Sequence, residues 1–236
     1  MIAGRIKARS SAWRDVTIEL GKVALPATLS KPASAEGIVI FADGSGSSRI
    51  SPRNCHVAEV LQGHRIATLL LDLLTEDEEA MDRRTSLLSI NSSLLAKRLA
   101  GATLWTMRQH DLHALELGYL GTSAGAAAAL IAAGRFPESI SALVSVGGRT
   151  DFAAESLGSV RAPTLLIVGG YDRLALALNE QAMAKLGSRE KKLLVIRGAT
   201  QLLEEPGTME EMAQAAADWF SDHFSRNRKN CTRHAL

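Results

Sequence analysis

Six apolar runs, Gly37 to Ala42, Ile66 to Leu74, Leu115 to Leu120, Ile140 to Val146, Thr164 to Val168 and Lys192 to Ile196, recur along the chain without polar alternation. A strand that shows one face to water alternates apolar with polar residues, whereas a strand covered on both faces does not, and such strands belong to parallel sheets flanked by helices. Helical stretches fall between the runs: Pro52 to Leu61, Leu87 to Met107, Ala124 to Ala133, Leu174 to Leu186 and Thr208 to Phe224, the last introduced by Pro206 and a Thr208/Glu211 capping box. Ahead of the first run, Asp15 to Leu20 and Lys22 to Lys31 flank Gly21 and are rich in Val, Thr and Leu, the pattern of an antiparallel hairpin. The expected fold is therefore α/β: a doubly wound, mostly parallel sheet of about eight strands with helices on both faces and an N-terminal antiparallel hairpin.

With 236 residues, 46% of them hydrophobic and 22% charged, the chain has enough apolar surface for one large core and no linker to divide it. The expected organisation is one domain over residues 1–225 and a basic, solvated tail over 226–236, where Arg226, Arg228, Lys229 and Arg233 lie among polar residues. The most apolar stretch, Ala124 to Ala133, is too short to cross a bilayer, and Met1 to Asp15 carries charges without a hydrophobic leader segment. Cys55 and Cys231 make no disulfide framework, which fits a reducing compartment. A net charge of +2, spread along the chain, leaves no nucleic-acid footprint. The expectation is a cytoplasmic monomer or homodimer with a small-molecule partner, no nucleic acid and no membrane.

In a doubly wound sheet, ligands bind outside the carboxyl ends of the strands. The positions there are Asp43 to Arg49, Thr75, Ser123, Gly147 to Asp151, Asp172 and Gln201. Among them, Gly121-Thr122-Ser123-Ala124-Gly125 follows an apolar run and opens a small-residue helix, so strand, sharp turn and helix come in sequence. This is the nucleophile-elbow pattern, in which glycines on either side of a serine let strand and helix approach. A serine in a glycine turn is also an ordinary helix cap. A nucleophilic serine needs an acid that orients a base. Asp172, just after the Thr164 run, fits the acid, although an aspartate in a turn commonly serves as a cap. The base position follows the last run, and Gln201 occupies it.

These segments together resemble the dienelactone-hydrolase-like branch of the α/β-hydrolase superfamily. The resemblance runs from Phe41-Ala42-Asp43-Gly44-Ser45-Gly46-Ser47-Ser48-Arg49 and Ser51-Pro52-Arg53-Asn54, through Leu70 to Thr75 and the elbow, to Arg161 to Gly170 and Gly198 to Gly207. It implies a hydrolase of small carboxylic esters or lactones with a serine nucleophile and neither metal nor organic cofactor. It also implies an oxyanion hole formed by the Ala124 N–H and a donor from Gly44 or Ser45. Two departures stand out: Asp43 and Gln201 occupy positions where the family has histidine. A glutamine amide is neither a useful base nor a useful acid near neutral pH, so weak activity is expected. The alternative is a degenerate hydrolase retained to bind a ligand or partner.

Other histidines do not fill the gap. His64, His110 and His113 precede strands and fall at the amino ends, His56 lies in the helix after the oxyanion loop, and His223 belongs to the last helix beside Phe224. Asp43 is a further candidate for a weak general base, with a turn or cap as its plainer role. Asp43, Arg49, Thr75 and Arg149 are the candidate substrate-binding residues; Arg53 joins the arginines that suit an acidic group, against ordinary surface ion pairing. Gly44 to Ser48 lacks the lysine and threonine or serine that end a phosphate loop. The acidic run Glu76 to Asp82 reads as a loop, either a small cap over the pocket or a solvated connection.

Overall fold

A computed structural model describes residues 13–43, 48–87 and 90–233, with the backbone alone for 48 and 227–233. Its centre is an eight-stranded sheet in the order β1-β2-β4-β3-β5-β6-β7-β8. The hairpin β1 (Trp13–Leu20) and β2 (Val23–Ser30) turns at Gly21, and β2 runs antiparallel to β4 (Ile66–Asp72). Beyond β4, all pairings are parallel: β3 (Gly37–Asp43), β5 (Glu116–Thr122), β6 (Ile140–Val146), β7 (Thr164–Gly169) and β8 (Lys191–Ile196). The expected doubly wound sheet with its hairpin is thus observed.

Each buried strand sends alternate residues into one of two cores. Ile38, Ile40, Leu117, Tyr119, Leu143 and Leu166 face the core built with α3 (Ser92–Arg108), α4 (Ser123–Arg135) and α5 (Arg173–Lys185). Val39, Phe41, Leu120, Val144, Leu165 and Ile167 face the core built with α1 (Pro52–Gly63) and α6 (Thr208–Arg233). Covered on both sides, these strands have no reason to alternate in polarity. The edge strand β8 is the exception, half-exposed and guarded by Lys191 and Lys192.

Four local expectations change. The helix expected over Leu87 to Met107 begins only at Ser92, where the Asn91 side chain accepts from the Leu94 N–H at 3.1 Å. The acidic run expected as a loop is helix α2 (Glu76–Thr85), started by a reciprocal cap between Thr75 and Glu78 and stopped at Ser86, whose φ is 54°. The Thr208 hydroxyl donates to the Glu205 carbonyl at 2.7 Å, so the expected Thr208/Glu211 capping box is not what starts α6. That helix also continues to Arg233, through most of the basic stretch expected as a frayed tail.

Candidate active site

Because β3 to β8 run parallel, their last residues share one edge. Asp43 is in register with Asp72 and Thr122, Thr122 with Val146, and Gly169 with Ile196. Neighbouring strands lie about 4.8 Å apart. Ser123 after β5, Gly147 to Arg149 after β6, Asp172 after β7 and Gln201 after β8 therefore stand in a row along the carboxyl edge.

Ser123 has φ 49°, the left-handed region that an L-residue adopts at a cost of order 1 kcal/mol. Thr122 ahead of it is extended and α4 begins at Ser123 itself, so the serine takes the whole change of direction between strand and helix. Close packing on both sides holds the bend. A Cβ on Gly121 would stand 2.5 Å from the Ala126 Cα, and one on Gly125 would stand 2.1 Å from the Ala42 carbonyl oxygen. Only glycine lets α4 sit this low on β3 and β5. The Ser123 carbonyl accepts the Arg149 N–H at 3.1 Å, joining the bend to the loop after β6. Ala124 lies in the first turn of α4, where N–H groups have no partner within the helix.

Gly44 and Ser45, expected to supply the second oxyanion donor, lie outside the described residues. Both flanks of their loop are tied down. On one side, buried Asn54 donates from Nδ2 to Asp43 Oδ2 at 3.2 Å. On the other, the Arg49 N–H and Nε both donate to the Asp72 carboxylate at 2.9 Å, and Arg49 also reaches Asp15 at 3.6 Å. Burial lowers the pKa of half-buried Arg53, while the Asp43 and Glu204 carboxylates pull it back up.

Asp172 is the N-cap of α5, and its Oδ1 accepts the Ala175 N–H at 3.0 Å. The Tyr171 N–H donates to the Ala199 carbonyl at 2.9 Å, and a Cβ on Gly169 would meet the Thr200 carbonyl oxygen at 2.4 Å, so the loop after β8 lies directly on the end of β7. Gln201 extends from that loop as an exposed side chain, its Cγ 3.8 Å from where a Cβ on Gly147 would stand. Among the described residues, no hydrogen bond joins Ser123, Asp172 and Gln201 through their side chains.

All four expected substrate-binding residues have structural partners, Asp43 and Arg49 through their bonds with Asn54 and Asp72. Thr75 caps α2, its Oγ1 accepting from the Glu78 N–H at 3.3 Å. Arg149 forms a two-pronged pair with Asp151 at 3.0 and 2.7 Å and lies over the Phe152 ring, 4.1 Å from its centre; the hydrogen bond raises the arginine pKa and lowers that of the aspartate. With Arg49 held by Asp72, the forks of Arg49 and Arg149 are engaged before any ligand arrives. His64 points its Nδ1 at the Val60 carbonyl and its Nε2 at Gln214, while His223 in α6 lies against Trp219 of the same helix and against Glu190, just before β8. His56 is half-buried on α1, and its Nε2 has no partner among the described residues. Among the described residues, no group of three or more His, Cys, Asp or Glu is arranged to hold a metal ion.

Sequence reading passed over Asn179. It stands on the face of α5 that buries Ala175 and Ala182, and its Nδ2 donates to the carbonyls of Gly148 at 3.0 Å and Ala175 at 2.7 Å. The available signal was a polar residue at the i, i+4, i+7 spacing of an apolar helix face.

A parallel sheet covered on both faces, with a strained serine at the strand-to-helix bend of its carboxyl edge, defines an α/β hydrolase. No family model matches the chain. It is 48% identical to the crystal structure of a dienelactone hydrolase from Anabaena variabilis, with a TM-score of 0.88 over 91% of this chain and 99% of that one. The chain belongs to the dienelactone hydrolase family, as the motifs implied. More distant structures share the fold alone: a cold-adapted esterase from an Arctic intertidal metagenomic library at 18% identity and TM-score 0.72, covering 94% of this chain and 98% of that one, and a dienelactone hydrolase-like promiscuous phosphotriesterase from metagenomic libraries at 15% and 0.72, covering 91% and 99%. Curated relatives from two strains of Mycobacterium tuberculosis, which carry the provisional name of a phosphoribosyl transferase, are 50% identical over 210 residues, 89% of this chain and 46% of theirs. The chain thus spans about half the length of the curated relatives it matches. Among the described residues, no helix is long and apolar enough to cross a membrane.

Proposed function

We propose that the chain is a slow serine hydrolase of small carboxylic esters or lactones. Family membership supports a hydrolase, and the observation that carries the finer reading is Ser123 at φ 49°, on the same sheet edge as Asp172 and Gln201. In this reading, Ser123 attacks the acyl carbon, the Ala124 N–H and a donor from Gly44 or Ser45 receive the negative charge on oxygen, and Asp172 is the acid of the triad. Gln201 occupies the base position without the chemistry of a base. Losing the base of such a unit costs on the order of a million-fold in turnover, leaving about a thousand- to ten-thousand-fold over water from binding and oxyanion stabilisation. The transferase name of the mycobacterial relatives describes proteins about twice as long and is not carried over.

The experiment is covalent labelling with a fluorophosphonate, followed by peptide mass analysis and a burst assay on an activated aryl ester. The reading expects a single modified site at Ser123 and no burst in Ser123→Ala. Absence of both label and burst in the wild-type chain rejects it, and leaves the second reading, a hydrolase fold retained for binding. That second reading is favoured by the same exchange of both family histidines, for Asp43 and Gln201.

A further inference from the structure

The geometry points to Asn179 as a positioning residue that aims the Ala124 N–H at the developing oxyanion, an inference that rests on the hydrolase reading above. Asn179 is completely buried in the middle of α5. Its Nδ2 donates both to the Gly148 carbonyl, at 3.0 Å, and to the Ala175 carbonyl, at 2.7 Å. Two carbonyl acceptors admit only the NH2 end of the amide, so the orientation of this side chain follows from its neighbours.

The Gly148 carbonyl and the Arg149 N–H are the two ends of one planar, stiff peptide unit. Asn179 grips its oxygen, and its N–H donates to the Ser123 carbonyl at 3.1 Å. The Ser123 carbonyl and the Ala124 N–H are in turn the two ends of the next unit in the series. In a trans peptide, the N–H points opposite to the C=O, so fixing the Ser123 oxygen fixes where the Ala124 N–H aims. The relay runs from Asn179 to Gly148, through Arg149 to Ser123, and out through Ala124. Hydrogen bonds in series polarise one another, so the first donor strengthens the last as well as orienting it.

The same side chain braces the other half of the site. The Ala175 carbonyl accepts from Asn179, while the Ala175 N–H donates to Asp172 Oδ1 at 3.0 Å. Packing alone does not call for asparagine here. An aliphatic residue would continue the Ala175 and Ala182 face, whereas Asn179 leaves its own Oδ1 buried without a partner among the described residues.

The test compares Asn179→Leu, which removes both donations at similar volume, with Phe224→Leu, which weakens the core at the opposite edge of the sheet. Asn179→Ala is carried alongside in case leucine does not fit. The readouts are the second-order rate of Ser123 labelling by a fluorophosphonate, kcat and KM on an aryl ester, hydrogen exchange of the Arg149 amide, and the amide resonance of Ala124. The expected result is a labelling rate and kcat lower by about ten-fold or more with KM within about two-fold, since an oxyanion donor acts in the transition state. Faster Arg149 exchange and a moved Ala124 resonance accompany it, while Phe224→Leu keeps wild-type rates at a matched loss of melting temperature. Unchanged rates in the Asn179 variants, or equal losses in Phe224→Leu at matched stability, overturn the inference. If the wild-type chain takes no label, the serine reading fails on its own, and the Arg149 exchange and Ala124 resonance decide whether Asn179 controls that peptide.

Discussion

Gln201 is where chemistry and geometry diverge most. Its side chain is exposed beside Gly147, on a loop fastened to the end of β7 through the Tyr171 N–H and the Ala199 carbonyl. That fastening fixes the backbone beside Gln201, which in the proposed function stands where a base would act and carries an amide instead. Restoring an imidazole is therefore expected to help. Gln201→His should raise steady-state turnover of an activated aryl ester by at least about a hundred-fold, the usual contribution of a positioned base. No gain would show that Asp172, whose Oδ1 is used to cap α5, does not orient a histidine from where it stands. The polar and charged residues of the edge carry a related lesson. Arg49, Thr75 and Arg149 stand after strands, as substrate-binding residues would, yet each has a partner of its own: Asp72, Glu78 and Asp151. Residue type and position are legible in a sequence, but competition between neighbours for one guanidinium or hydroxyl is settled only when those neighbours meet.

The element that departs furthest from expectation is α2. Four acidic residues open it, which suits the positive end of a helix, and Glu78 also closes the cap with Thr75. Glu78 then reaches buried Arg98 of α3 at 2.6 and 2.5 Å, while Arg98 donates to the Leu73 carbonyl at 2.6 Å just after β4. The Arg98 hydrogen bond is the main reason the Glu78 pKa falls from 4.5 to about 2. A carboxylate with a depressed pKa contributes stability that is complete above its unfolded value and is lost as pH falls toward its folded one. Urea unfolding at stepped pH should therefore show wild-type stability dropping between pH 4.5 and about 2 relative to Glu78→Gln, with a constant offset above that range. Parallel pH curves for the two chains would mean that the pair does not anchor α2. The sequence offered the acidic run but not its partner, because Arg98 is 20 residues away and only folding brings it to Glu78.

Across the whole molecule, α6 covers one face of the sheet. Phe220 and Phe224 stack with ring centres 5.6 Å apart and fill the space over Gly37 and Gly118, where a Cβ would meet the rings at 2.2 and 2.7 Å. Both rings are fully buried, so Phe224→Ala should cost about 3–5 kcal/mol in urea unfolding, the range for emptying a buried aromatic site. A loss below about 1 kcal/mol would mean that the end of α6 is not part of the cooperative core. The strand-forming runs, the tight bend at Ser123 and an amide rather than an imidazole at Gln201 were determined by the sequence alone. They rest on local chemistry: covered strands need no polar alternation, a tight bend needs glycine beside it, and an amide holds no usable proton. What the tertiary structure decided was which polar groups answer one another, such as Asn179 with Gly148 across 31 residues and Arg49 with Asp72 across 23. A hydrogen bond depends on distance and direction in space, and the packing of helices on a sheet sets both.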